Sequence, residues 1–203
     1  MNKRPLPLRL VRRLRTEALR APRRALRLVY GFDSWHEWPA VARPYVRDIA
    51  RYLNSRPAAQ RESVLEIGAG LGDILRRLRY GQRLGLDQDD AVVRAARLVS
   101  ALTRDATRFA VSHFPDDAIA GRFDAVILVN WIHSVPPDVL RSNLRRVVDE
   151  NVRQGGVVVL DLVDGSGYPY HHSADFLADG LPVTVDVIAS YDDGRRIVVF
   201  ESA

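Results

Sequence analysis

The 203-residue chain is 47% hydrophobic, enough for one full core, and its length suits a single domain with an extension rather than two domains. It contains no cysteine, which excludes disulfides, thiolate nucleophiles and cysteine-ligated zinc. It also lacks a run of about 18 apolar residues and the apolar core of a secretory signal, so a soluble, cytoplasmic protein is expected.

The formal net charge of +5 is unevenly spread: residues 1–30 hold ten basic residues against Glu17 alone, and the rest of the chain is mildly acidic. Within this leader Leu10, Val11, Leu14, Ala18 and Ala21 recur at helical spacing, and Pro22 predicts a break before a second short helix through Leu26 and Val29. Residues 1–40 are expected to form a basic helical extension or lid, and residues 41–203 the domain that holds the chemistry. A basic amphipathic helix suits an anionic membrane face or an acidic substrate contacted through residues 1–29, or RNA phosphates, or a solvated cap on the domain. RNA is the weaker of these, because the chain has neither a recognisable RNA-binding module nor interleaved aromatic and basic residues.

An aromatic segment, "YGFDSWHEW", comes next and brings Trp35, His36 and Trp38 together. Pro44 opens a helix whose positions Val46, Ile49, Ala50 and Leu53 share one face. Short apolar runs then alternate with helical patterns: Val64 to Ile67, a helix over 72–79, Arg83 to Leu86, a helix over 89–102, and Arg108 to Val111. The second half adds Phe123 to Val129, a helix from Pro136 through Val148, and Val157 to Leu162. Uninterrupted runs such as "AVILV" suit strands buried on both faces, and the alternation makes the sheet mainly parallel and doubly wound. Near the end, Asp193-Gly194 between two strand-like runs predicts an antiparallel hairpin.

The stretch "VLEIGAGLGDIL" carries the functional signal. Gly68, Gly70 and Gly72 make a bare turn behind a strand, where a ligand can approach the backbone closely. A dinucleotide fingerprint would place a third glycine where Asp73 stands, and a carboxylate there repels a pyrophosphate. With Glu66 as a second acid, the turn suits a nucleoside bearing positive charge. Asp87 ends the next strand, where an acid can accept both hydroxyls of a ribose. Gln88 and Asp89 follow, the latter read as a helix N-cap.

These residues resemble class I S-adenosylmethionine-dependent methyltransferases. Their glycine motif looks like "LEIGAGLGD", their ribose acid like Asp87, their fourth-strand motif like "FDAVILVNWIHSV", and their fifth strand like "GGVVVLDLVDG". The resemblance covers about residues 40–203 and implies S-adenosylmethionine as cofactor. It also implies a seven-stranded sheet in the order 3-2-1-4-5-7-6 with the last strand antiparallel. A further resemblance of "YGFDSWHEW", "RPY" and "EIGAGLGDIL" to small bacterial methyltransferases of natural-product and surface-glycan pathways puts the N-terminal aromatics over the cofactor. The acceptor implied is a small molecule or glycan, methylated at oxygen or nitrogen; RNA methylation and cofactor binding without catalysis are the alternatives. Many members carry an adenine-binding acid after the third strand, and here Ser112 or His113 stands in its place.

His133, three residues beyond Asn130 at the end of the fourth strand, is the first candidate base, or else it orients the backbone or contacts the cofactor. His36 is the second candidate base. Trp131 either stacks on a ligand or wedges a helix. Trp35, Tyr45, His171 and His172 are candidates for the acceptor pocket. Adjacent histidines without further ligands at a recognised spacing make a poor metal site, so none is expected.

Overall fold

The computed structural model describes residues 8–165 and 167–203. Seven strands form one sheet: β1 (Ser63–Ile67), β2 (Gln82–Asp87), β3 (Arg108–Val111), β4 (Phe123–Leu128), β5 (Val152–Val163), β6 (Val183–Ser190) and β7 (Arg195–Ser202). Their order is β3-β2-β1-β4-β5-β7-β6. The pairs from β3 to β5 are parallel, whereas β7 runs antiparallel to both β5 and β6, with the Asp193-Gly194 turn leading into it. The expected topology is therefore present strand for strand.

The apolar runs work as fully buried strands because successive residues point to opposite faces of the sheet. Val64, Ala125, Ile127, Val157 and Val159 pack on one side with α2 (Pro44–Ser55) and α3 (Asp90–Thr103). Leu65, Val126, Leu128, Val158 and Leu160 pack on the other with α4 (Pro137–Arg146) and α5 (Ala174–Ala178). On α2, Val46, Ile49, Ala50 and Leu53 form the buried stripe that their spacing predicts. The Asp89 side chain caps α3 by accepting the N–H of Ala91 at 2.8 Å.

Two expectations are corrected. The leader is one continuous helix, α1 (Leu8–Tyr30), and Pro22 lies inside it. Proline costs one hydrogen bond to the preceding turn, and here the helix is held on both sides of Pro22 by ion pairs from Arg20 and Arg27 to Glu37 and from Arg23 to Asp73. Residues 1–7, with Lys3 and Arg4, and the side chains of Arg9, Leu10, Val11, Arg12, Arg13 and Leu14 lie outside the described residues. The helix expected over 72–79 reduces to turns and a short 3-10 helix, Leu75–Arg77. Gly72 at φ +75° starts the segment off-helix, and the carbonyl of Arg77 bonds the Asn54 amide while the N–H of Arg79 bonds its oxygen, so the chain turns towards β2 early.

Candidate functional site

A cleft lies over the carboxyl ends of β1, β2 and β4, at the point where the strand order reverses, which is where open α/β sheets bind ligands. Its floor is the turn after β1. The N–H groups of Gly68 and Ala69 both reach the Leu86 carbonyl, at 2.8 and 2.9 Å, and tie the turn to β2. A Cβ on Gly70 would stand 2.8 Å from His36 Nδ1, and one on Gly68 would run into the Trp131 indole, 2.7 Å from Nε1. Glycine is thus required because two side chains press on the bare backbone, and both positions have positive φ. Gly72 differs from the expectation: its open side faces the Phe109 ring and Arg76, and it does not line the cleft.

The three acids behave differently. Asp87 accepts the Gly70 N–H on Oδ2 at 2.9 Å and the Asp89 N–H on Oδ1 at 3.1 Å. Glu66 is buried, and its Oε2 has no hydrogen-bond partner among the described residues. Burial, reinforced by the nearby Asp73 charge, pushes its carboxyl up to about 8. Asp73 departs from the reading as an open acid. Arg23 grips it with two hydrogen bonds, at 2.9 and 2.5 Å, and Arg43 binds the same carboxylate. Burial alone would raise the Asp73 carboxyl, but the Arg23 hydrogen bonds and the Arg43 charge outweigh it and hold the group below the ordinary carboxylate range. The floor therefore presents one acid neutralised by arginines beside one that keeps an oxygen without a partner among the described residues.

Gln88, Ser112, Phe114, Asn130 and Trp131 complete the inner wall, and Trp35 and His36 the outer one. Trp131 donates its indole N–H to the Ile67 carbonyl at 2.7 Å and meets Phe114 edge-on at 5.8 Å. His113 lies next to this wall but does not line it; its N–H goes to Asp117 at 2.7 Å. His36 sits in a short turn capped by Asp33, which accepts the Trp35 N–H at 3.0 Å. Burial lowers the pKa of His36, with Asp87 pulling the other way and Arg43 adding to the fall, so the ring is neutral at pH 7.

His133 is not at the cleft. It is 1% exposed and lies behind Asn130 in a buried polar cluster with Asp161, Arg195, Tyr168 and His172. Its Nε2 is 3.4 Å from Asp161, but Arg195 already binds that carboxylate, so burial and the Arg195 charge dominate and lower the imidazole to about 4. A ring walled off from the cleft cannot take a proton there, which corrects the expectation of a base at this position. His171 and His172 are likewise outside the cleft, bonded to the carbonyls of Val163 and Ile132 at 3.1 and 2.9 Å. Tyr45 touches the wall from behind, its hydroxyl donating to Asn130 Oδ1 at 2.8 Å. Among the described residues no group of three His, Asp or Glu side chains is placed to hold a metal ion.

No protein-family model matches the chain, and no curated protein matches its sequence. Solved structures do match in fold. Magnesium protoporphyrin IX methyltransferase from Synechocystis PCC 6803, with bound SAM, superposes with a TM-score of 0.67 over 100% of both chains, at 14% identity. DhpI in complex with SAH gives 0.60 at 20% identity, over 79% of this chain and 87% of that one. The bifunctional kinase-methyltransferase WbdD gives 0.63 at 19% identity, over 79% of this chain and 39% of that one. The fold is that of the class I S-adenosylmethionine-dependent methyltransferases.

Within this methyltransferase fold the cleft gathers Glu66, Gly68, Gly70, Asp73, Asp87, Gln88, Ser112, Asn130 and Trp131 with Trp35 and His36. Arg23, Arg43 and Phe114 line it too and were missed by the sequence reading. Neither Arg23 nor Arg43 had a local signal, because their shared partner Asp73 is fifty and thirty positions away.

Proposed function

We propose that the protein binds S-adenosylmethionine in this cleft and transfers its methyl group to an oxygen or nitrogen of a small-molecule or glycan-like acceptor. The observation that carries the reading is Asp87. Each of its oxygens accepts one backbone N–H and keeps a second lone pair, which is what two adjacent ribose hydroxyls need. The buried Glu66 oxygen without a partner fits the cofactor's cationic end, and Arg43 with Arg23 fits its carboxylate. Ser112, Phe114 and Trp131 would hold the adenine, with hydroxyl and aromatic contacts in place of a carboxylate.

When bound, S-adenosylmethionine supplies a methyl group on a positively charged sulfur, ready for in-line displacement. This chain's part is mainly positioning, which can lower such a barrier by roughly 7–11 kcal/mol. His36, neutral and beside Gly70, is the residue placed to accept the proton of a hydroxyl acceptor, an effect worth about 10²–10⁴-fold. Trp35, 44% exposed at the outer wall, gives an acceptor a flat surface to lie on.

Titration calorimetry with S-adenosylhomocysteine tests the cofactor. No binding at millimolar ligand, or unchanged binding in Asp87→Ala, overturns the reading. Mass spectrometry of a co-purified small molecule would then narrow the acceptor. The RNA alternative draws less support than the leader's charge suggests, because the described outward side of α1 is largely apolar, with Leu28 and Val29 exposed. It requires a steep fall of RNA affinity with salt that vanishes when residues 1–29 are removed. Cofactor binding without turnover across broad acceptor panels would favour a scaffold instead. A cytoplasmic location is part of the same proposal, and no helix among the described residues is long and apolar enough to cross a membrane.

A further inference from the structure

Helix α1 meets the domain with the face that would ordinarily be turned to water. Arg20 and Arg23, 21% and 16% exposed, point inward, where Arg20 and Arg27 bind Glu37 and Arg23 binds Asp73. Arg20 also stacks on the Trp38 ring at 4.3 Å. Its described apolar residues largely point out: Ala18, Ala21, Pro22 and Ala25 are exposed, and Leu28 and Val29 are 83% and 77% exposed. Among the described side chains of α1 only Leu26 and Tyr30 reach the core, each partly buried. Beside them α3 adds Leu98 and Leu102, the latter 74% exposed, and the two helices together line an open apolar groove. Soluble proteins scatter such side chains singly; a contiguous stripe shared by two helices needs a cover.

We infer that this α1/α3 face docks on an anionic lipid bilayer. An interfacial helix buries its apolar side among the acyl chains and needs polar surroundings for the other side, and here Glu37, in the turn after α1, and the domain's Asp73 supply them. Charge selects the occupant. The leader holds ten basic residues against one acid; among the described ones Arg20, Arg24 and Arg27 share the single charge of Glu37, which leaves that side net positive, and Arg15 and Arg104 are exposed. A second copy of the chain would bring the same positive leader against its twin, whereas an anionic surface attracts it.

Co-sedimentation of the full chain with vesicles tests this, and needs no cofactor, so its failure is separate from failure of the methyl-transfer reading. Vesicles of phosphatidylglycerol and phosphatidylcholine should retain the protein at low salt, and vesicles of phosphatidylcholine alone should not. Replacing three exposed side chains together, Leu28→Ser, Val29→Ser and Leu102→Ser, should lower binding by about tenfold or more. The thermal melt and S-adenosylhomocysteine affinity should stay as in the parent. If the triple variant melts lower, Leu28→Ser alone makes the comparison. Equal retention of parent and variant, no preference for anionic vesicles, or a parent dimer in sedimentation velocity that the variant splits would each overturn the inference.

Discussion

The Asn130 N–H donates to Asp161 Oδ1 at 2.8 Å, and this bond joins the cleft wall to a buried ion pair. Asn130 has φ +79°, a conformation asparagine tolerates better than most residues. Its side-chain oxygen accepts from Tyr45 at 2.8 Å and from Arg195 at 3.2 Å, which leaves its amide nitrogen as the free donor at the cleft. Arg195 in turn binds Asp161, and both are buried. Arg195→Ala should therefore cost about 3–5 kcal/mol of stability, because Asp161 stays behind without its partner. In the double variant Arg195→Met with Asp161→Leu, chemical denaturation should show a smaller loss while cofactor affinity still falls. Equal stability of Arg195→Ala and the parent would contradict the role given to the pair.

Glu66 predicts a pH dependence. Its carboxyl is raised to about 8 in the folded protein and is lower in the unfolded chain, where nothing buries it. The folded state thus holds a proton that the unfolded state loses, so this contribution is complete below the unfolded pKa and disappears as pH rises through about 8. Without ligand, the melting temperature should fall between about pH 5 and 8. Glu66→Gln should flatten that slope, and an unchanged slope would remove Glu66 as its source.

The same carboxyl links binding to protons. A ligand with a cationic end favours ionised Glu66, so S-adenosylmethionine should release protons on binding at pH 7 and bind more tightly as pH rises towards 8. Calorimetry in two buffers of different ionisation enthalpy measures that release. Zero release in the parent would count against the assignment.

Asp87→Ala removes the acceptor of two backbone N–H bonds as well as the proposed ribose contact. Losing hydrogen bonds to a charged acceptor costs about 1.5–3 kcal/mol, so S-adenosylhomocysteine affinity should drop roughly ten- to a hundredfold. Asp87→Asn, which keeps one oxygen, should fall between the two.

Substituting the two histidines separates their roles. His36→Gln should reduce turnover by about 10²–10⁴-fold with a hydroxyl acceptor and leave cofactor affinity near that of the parent. His133→Gln should shift the thermal melt, because its site is buried, and the pH profile of turnover should keep its shape. A reversed pattern would return His133 to the chemistry.

Much of this architecture was legible in the chain because it rests on local periodicity. The two-faced burial of "AVILV", the stripe of α2, the Asp89 cap and the reversed last strand all follow from spacing and turn chemistry within a few residues. The placement of Gly68, Gly70 and Asp87 at strand ends beside the cleft was legible for the same reason, while Gly72 faces Phe109 instead. What escaped depends on distant partners. Pro22 reads as a helix break until Glu37 and Asp73 hold both flanks of the helix, and Asp73 reads as an open acid until Arg23 and Arg43 arrive. His133 reads as a base because its place at a strand end is conspicuous, while burial behind Asn130 depends on β7 and the loop after β5.

The cleft is braced by Arg23 from the first described helix and by Arg195 from the last described strand. Removing α1 would take Arg23 from the ligand pocket and leave the sheet paired, whereas removing β7 would take Arg195 and unpair β5 and β6 as well. Variants shortened at α1 should accordingly be judged by ligand affinity rather than by whether they fold.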